Sequence, residues 1–142
     1  NNNVTVLFPK FAEYFKMTNP TAQIGYAFVT PVLFSNDEFF LNRIEAHVMT
    51  DRITAANAEL EYFISTRTQG YDPKTDKITE AKVVEKYPII PDEYTPFYNL
   101  TPLQTSYIKA IAELRRRDFI HEGLRWFDIK RFALKINPTK SY

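Results

Sequence analysis

Cysteine is absent from this chain of 142 residues. Without a thiol, the sequence offers no disulfide framework, no thiolate nucleophile and no cysteine-based metal site. Glycine is scarce, with three residues, which argues against a phosphate-cradling loop and against a succession of tight β-turns. No apolar run approaches the roughly 20 residues that a membrane-spanning helix requires. These absences favour a helical protein over a glycine-rich β fold or a phosphate-loop fold.

Histidine is also rare, and candidate catalytic groups are correspondingly few. His47 and His121 are the two histidines, and neither belongs to a His-x-x-x-His or Glu-x-x-His motif, so no metal site is predicted. The chain has no Gly-x-Ser-x-Gly elbow and no distinctive carboxylate pair. Glu38, Glu45 and Glu59 fall on predicted helix surfaces, where acids are normally solvated or paired. We therefore predict a protein that is not an enzyme and uses no cofactor.

Aromatic residues, in contrast, reach 15% of the chain, and nine prolines are spread along it. Pro9, Pro20 and Pro31 are spaced through the first 34 residues, together with many aromatics. Proline interrupts regular structure, so we predict that residues 1–34 form a loop-like segment wrapped over another surface. Within it, the residues from Tyr26 to Val29 could form a short strand.

Residues 35–70 carry the pattern of two helices. Ser35 and Glu38 fit a capping box at the start of the first helix. Its apolar stripe comprises Phe40, Leu41, Ile44 and Val48. Asp51 follows a short break and is predicted to cap a second helix over residues 54–64. Such closely joined helices predict a tetratricopeptide-like αα-hairpin.

Residues 71–100 form a long connection rich in proline and tyrosine. A stretch of this length with little regular structure is unusual in a compact domain and is more often functional. Only Glu80–Glu85 is predicted to make a helical turn or two.

The helix after this connection has the clearest boundaries. Thr101 is a predicted N-cap, Pro102 occupies the favoured first position, and Gln104 completes a capping box. Ile108, Ile111, Leu114 and Phe119 then supply an apolar stripe. A glycine interrupts the pattern, and residues 126–132 are predicted to return to helix. The sequence as a whole predicts an all-α fold with long loops.

Positive charge is concentrated in residues 101–142, which hold nine basic and four acidic side chains. A free basic stripe would indicate nucleic-acid binding. Here acids alternate with the arginines, which favours an internal network in which guanidinium groups pair with Asp118, Glu122 and Asp128. Trp126 and Phe127 are predicted to lie packed between these ion pairs. We therefore predict no nucleic-acid partner.

The same charged segment resembles the signature of SusD/RagB-type outer-membrane lipoproteins. That signature is Arg-Arg-x-[Asp/Glu]-Phe-x-x-Glu-Gly-x-Arg-Trp-x-Asp-[Ile/Leu]-x-Arg. The matching positions are Arg115, Arg116, Asp118, Phe119, Glu122, Gly123, Arg125, Trp126, Asp128, Ile129 and Arg131. A second patch, Leu41-x-Arg43-Ile44-Glu45-Ala46, is similar to the helical hairpin that precedes the signature in that family. The resemblance covers residues 33–134, with residues 71–100 in the place of a variable insertion.

This resemblance implies that residues 1–142 are the C-terminal portion of a surface-exposed outer-membrane lipoprotein. Such a protein captures an oligosaccharide without turnover and delivers it to a TonB-dependent, SusC-type transporter. Its contact with the membrane would be through an N-terminal lipid anchor that lies outside this chain. The resemblance also implies that the signature residues hold helices together and do not contact ligand. A peptide- or protein-binding helical module of a related uptake system is the alternative.

Candidate ligand-binding residues are the aromatics of the long connection, since a tyrosine ring has an apolar face for a sugar and a polar tip for its hydroxyls. These candidates are Tyr71, Tyr87, Tyr94, Phe97 and Tyr98. The alternative interpretation is that the same rings cover a small core of the connection itself.

Overall fold

The computed structural model of the protein describes residues 13–30 and 32–135. It divides the chain into two compact units, Asn1–Ser35 and Asn36–Tyr142. Residues 1–12 and Pro31 of the predicted wrapping segment lie outside the described residues.

The described part of the first unit is an antiparallel β-hairpin. Strand β1 spans Glu13–Asn19 and strand β2 spans Ile24–Val29. At the turn, the Asn19 side chain accepts hydrogen bonds from the backbone N–H groups of Thr21 and Ala22, both at 3.1 Å. This arrangement is the common use of asparagine in turns, and it explains why the chain reverses direction here.

The prediction of an all-α, tetratricopeptide-like fold is wrong, because the described residues combine helices with this two-stranded sheet. The segment expected to be loop-like forms both strands. Its aromatic and β-branched residues favour extended backbone. Pro20 does not interrupt a strand, since it lies in the turn between β1 and β2.

The second unit is helical in its described part. Its helices are α1 (Asn36–Met49), α2 (Ile53–Ser65), α3 (Glu80–Lys86), α4 (Pro102–Asp118) and α5 (Arg125–Arg131). Helix α1 packs against α2 and α4, while α3 and α5 each pack against α4. Helix α4 is therefore the central element, in contact with α1, α3 and α5, whereas α2 packs against α1.

The core of this unit lies between α1, α2 and α4. Three residues of the stripe predicted for α1, Leu41, Ile44 and Val48, are fully inaccessible to solvent, and the fourth, Phe40, is partly buried. Ile108 and Ile111 of α4 are likewise fully buried. Burying one such side chain contributes about 1.5–3 kcal/mol, so these contacts are the main source of stability for the helical unit.

Local signals decide where α4 begins. Thr101 accepts a hydrogen bond from the Gln104 N–H, and the Gln104 side chain accepts one from the Thr101 N–H. The predicted capping box is therefore confirmed. The cap predicted at Asp51 is wrong: Arg52 precedes α2 without a side-chain cap, and the Asp51 carboxylate instead accepts from the Gln104 amide at 3.0 Å.

Candidate functional site

A buried ion network joins α1, α4 and α5. Arg115 of α4 is 6% exposed and donates to the Glu45 carboxylate of α1 at 2.5 Å and to Asp128 of α5 at 3.3 Å. Both terminal nitrogens of Arg131 in α5 donate hydrogen bonds to the Glu45 carboxylate, at 2.7 and 2.8 Å. The other terminal nitrogen of Arg115 donates a hydrogen bond to the side-chain oxygen of Asn42 at 2.6 Å. Arg115 and Arg131 thus balance the charges of Glu45 and Asp128, and Arg125 lies 3.9 Å from Asp128 at the edge of the network.

This network differs from the predicted one in its members. Glu45 was expected on a helix surface, solvated or paired; it is paired with two arginines, but it is buried, at 8% exposure. Asp118 pairs with Arg67, at 3.2 Å. Trp126 and Phe127 do not lie between the ion pairs; they are 57% and 65% exposed.

Trp126 and Phe127 are exposed because of the orientation of α5 about its own axis. Asp128 and Phe132 are one helical turn apart and both face inward, at 4% and 0% exposure. Successive helical residues are rotated by about 100°, so residues one and two positions before Asp128 turn away from that face. The interior therefore contains the carboxylate, and the aromatic rings of Trp126 and Phe127 are on the surface.

A groove on the outer side of α4 contains two of the predicted ligand-binding residues, Tyr87 and Tyr94. We call it the tyrosine groove; its volume is about 440 Å³. Its lining residues are Lys86, Tyr87, Glu93, Tyr94, Lys109, Glu113, Arg116, Arg117, Arg125, Ile129, Leu134 and Lys135. Both tyrosines are half-buried, with part of each ring against the core. The rings therefore partly cover the core, as the alternative interpretation expected, and ligand binding by them stays a prediction.

Backbone pairing fixes the position of Tyr94. Tyr94 forms an isolated antiparallel bridge with Leu134. The Thr95 N–H donates to the Phe132 carbonyl and the Lys135 N–H donates to the Glu93 carbonyl, both at 3.1 Å. The ring of Tyr94 packs 6.0 Å from that of Phe132. This pairing connects the end of the long connection to the residues that follow α5.

Lys109 of α4 holds the part of the long connection that contains Pro88 and Glu93. Its ammonium donates to the Pro88 carbonyl at 2.6 Å and pairs with the Glu93 carboxylate. Tyr87 lies at the C-terminal end of α3, where its N–H donates to the Val83 carbonyl. The two tyrosines are therefore presented from elements anchored on both sides of the groove.

Electrostatics within the groove are dominated by cations. Glu113 accepts hydrogen bonds from Arg116 and Arg117, which hold the pKa of its carboxyl below the usual range despite partial burial. Burial raises the pKa of Tyr94 to about 12, although the nearby Arg125 opposes that shift. Burial also raises the pKa of Tyr87. Both phenols are therefore neutral hydrogen-bonding groups near neutral pH.

The other three predicted residues lie elsewhere. Tyr71 lines a separate open depression beside α2, where burial and the carboxylate of Glu61 raise its pKa. Phe97 is 97% exposed and meets Tyr98 edge to face, with ring centroids 5.1 Å apart. The structure thus brings Tyr87 and Tyr94 together in the groove, pairs Phe97 with Tyr98 outside it, and places Tyr71 in a separate depression.

Sequence reasoning missed the cations of the groove. Lys109, Glu113 and Arg116 recur every three or four residues along α4, the spacing of one helix face. That periodicity was present in the sequence, but it indicated a charged face without showing which loop would cover it. Lys86 and Lys135 carried no such pattern, because the loop pairing that brings Lys135 near the groove is not local.

Within residues 13–30 and 32–135, no group of three or more acidic or histidine side chains is arranged to hold a metal ion. In the same part of the chain, no helix is long and apolar enough to cross a membrane. No protein-family model, no curated protein and no solved structure matches this chain.

Proposed function

We propose that this chain is the C-terminal portion of a SusD/RagB-type lipoprotein of the outer membrane. Its role would be to capture an oligosaccharide at the cell surface, without catalysis, and to deliver it to a TonB-dependent, SusC-type transporter. The proposal rests on the sequence resemblance and on the arrangement of the helical unit.

The first support is the meeting of the two sequence patches that carry the resemblance. Glu45 belongs to the first patch, and Arg115 and Arg131 belong to the second, 70 and 86 residues further along. Their guanidinium groups converge on one buried carboxylate. A role in holding helices together, which the resemblance implies for these residues, agrees with this geometry.

The observation that carries the proposed activity is the placement of Tyr87 and Tyr94 in one groove. Each ring has an apolar face suited to the C–H groups of a sugar and a hydroxyl suited to its polar edge. Cationic and acidic side chains around the rings supply donors and acceptors for sugar hydroxyls. A groove of about 440 Å³ is within the range for small-molecule ligands.

A glycan-array screen of the full-length protein tests this function. The array should include bacterial, plant and host polysaccharides, with a peptide library screened in parallel. We expect selective binding to one glycan class, and incubation with the bound glycan should release no shorter products. Hydrolysis of the glycan by the pure protein would overturn the non-catalytic role, and a silent glycan array would overturn sugar capture.

One observation favours the alternative of peptide capture. A second cleft, of about 500 Å³, lies between α2, α3 and α4 next to the tyrosine groove, and is lined by Leu60, Ile64, Val83 and Leu114 among others. Its apolar side chains suit those of a peptide, and its charged side chains suit the polar groups of a peptide; the charged ones are Arg67, Lys82, Lys86, Arg117 and Asp118. Peptide hits with a silent glycan array would therefore assign the protein to peptide uptake.

A further inference from the structure

The charge of the tyrosine groove differs strongly from that of the chain. Its cationic side chains are Lys86, Lys109, Arg116, Arg117, Arg125 and Lys135. Against these six cations stand two acids, Glu93 and Glu113, so the groove carries a formal charge of +4. The whole chain carries +1. The rest of the chain therefore carries −3, the difference between +1 and +4, and positive charge is collected around two tyrosine rings.

Internal pairing leaves several of these cations able to bind a ligand. Lys109 is committed to Glu93 and Pro88. Arg116 and Arg117 share the single carboxylate of Glu113, and their side chains remain 43% and 61% exposed. One acid between two guanidinium groups leaves an excess positive charge at this wall.

Arg125, one of the signature residues, is held by contacts within the protein. Its contacts are a long hydrogen bond to the Ala112 carbonyl at 3.4 Å and an ion pair with Asp128 at 3.9 Å. Its side chain is 37% exposed and lies beside the Tyr94 hydroxyl. Arg125 therefore positions the Tyr94 side chain and is not counted among the cations that face a ligand.

We propose that the tyrosine groove selects an acidic oligosaccharide, one that carries carboxylate or sulfate groups. This inference rests on the proposed function and narrows its ligand class. The sugar rings stack on Tyr87 and Tyr94. The acidic groups face the exposed groove cations that lie outside the signature, which are Lys86, Arg117 and Lys135. A neutral sugar would stack on the same rings but would leave the excess positive charge without a partner.

A titration of the full-length protein with a matched ligand pair tests the proposal. The probes are tetragalacturonate and its fully methyl-esterified form, which has the same sugar rings without the charges. Isothermal titration calorimetry should give at least ten-fold tighter binding of the acid, because two or more charge-assisted contacts are lost in the ester. The difference should shrink as salt is raised, since partly exposed charges are screened.

Charge-reducing variants locate the binding to the groove. Lys86→Gln/Lys135→Gln removes two exposed groove cations, and Lys74→Gln/Lys130→Gln removes two exposed cations outside it. We expect the first variant to bind tetragalacturonate about ten-fold more weakly, as expected for two partly exposed charge contacts, and the second to stay within about two-fold of wild type.

Each other outcome counts against a specific statement. Equal affinity for the acid and its ester, or unchanged acid binding by Lys86→Gln/Lys135→Gln, would overturn the inference and leave sugar capture standing. Equal binding of a single-stranded oligonucleotide of the same charge would assign the groove to nucleic acid instead and overturn the inference. Absence of binding by every glycan on the array would overturn the proposed function and this inference together.

Discussion

Replacing Glu45 with glutamine should destabilise the protein far more than the same change at a surface ion pair. Glu45 accepts three hydrogen bonds from two guanidinium groups, at distances of 2.5–2.8 Å. Glutamine keeps the volume but removes the charge, and its amide turns one acceptor into a donor. Arg115 and Arg131 would then share a single anion, Asp128.

The magnitude follows from the burial of the two arginines. Removing one partner of a buried ion pair costs about 3–5 kcal/mol, because the other charge stays buried without compensation. The Arg115 side chain is 6% exposed and cannot recover hydration. That of Arg131 is 41% exposed and recovers part of it. We therefore expect a loss of about 3 kcal/mol in the free energy of unfolding, at the lower end of the range.

Glu59→Gln is the matched control. Glu59 of α2 also bridges two helices, through Arg43 of α1, but the Arg43 side chain is 41% exposed. Exposed pairs contribute about 0.2–1 kcal/mol, so this variant should lose less than about 1 kcal/mol. Urea unfolding at neutral pH, followed by circular dichroism, measures both losses. Equal losses for Glu45→Gln and Glu59→Gln would refute the reasoning, since the buried network would then behave like surface charge.

Three further predictions concern single groups. The pKa of Tyr94 is about 12 in the folded protein, above its value near 10 in the unfolded chain. Its contribution to the free energy of unfolding is therefore complete below pH ~10 and is lost as the pH rises toward 12. Denaturant unfolding across this interval should show wild type losing up to about 2 kcal/mol more than Tyr94→Phe, and parallel profiles would contradict the assignment. Thr101→Ala removes the N-cap of α4 and should cost about 1 kcal/mol of unfolding free energy, whereas Thr101→Ser should cost much less; equal losses would argue against capping. Gly25→Ala should disrupt the hairpin, because an added Cβ would collide with the Lys16 carbonyl and the Phe15 ring; unchanged cross-strand amide protection by hydrogen exchange would contradict this.

Elements specified by neighbouring residues could be predicted from the sequence. The start of α4 depends on Thr101, Pro102 and Gln104, which lie within four positions of one another. The stripe of α1 likewise follows from helical spacing alone. The helical turns expected at Glu80–Glu85 and the return to helix after Gly123 are confirmed as α3 and α5.

Only part of the hairpin could be predicted: the short strand expected from Tyr26 to Val29 is confirmed within β2, whereas β1 and the pairing of the strands were not predicted. A strand is usually identified by alternation of apolar and polar residues, but β1 and β2 carry aromatic or aliphatic side chains on both faces. Phe15 and Tyr26 are 60% and 51% exposed, so no single buried face exists to impose that alternation. The remaining signal was the turn at Asn19 and Pro20, which is equally common in loops.

The candidate site depends on contacts between distant residues. Glu45 is one acid among several on its helix until Arg115 and Arg131, 70 and 86 residues away, are placed beside it. Tyr87 and Tyr94 were identified by residue type, but their common groove depends on the bridge between Tyr94 and Leu134. The types of residue at the candidate site could therefore be predicted from the sequence, whereas their positions relative to one another required the tertiary structure.

The most direct test of sugar capture is the affinity of Tyr87→Ala for the oligosaccharide selected on the array. Tyr62→Ala is the control, because Tyr62 is an exposed tyrosine on α2 outside the groove. Isothermal titration calorimetry on the full-length proteins should give a loss of roughly ten-fold for Tyr87→Ala, the size expected for one aromatic stacking contact, and no loss for Tyr62→Ala. Unchanged affinity in a correctly folded Tyr87→Ala protein would contradict the account, because the sugar would then bind without the groove.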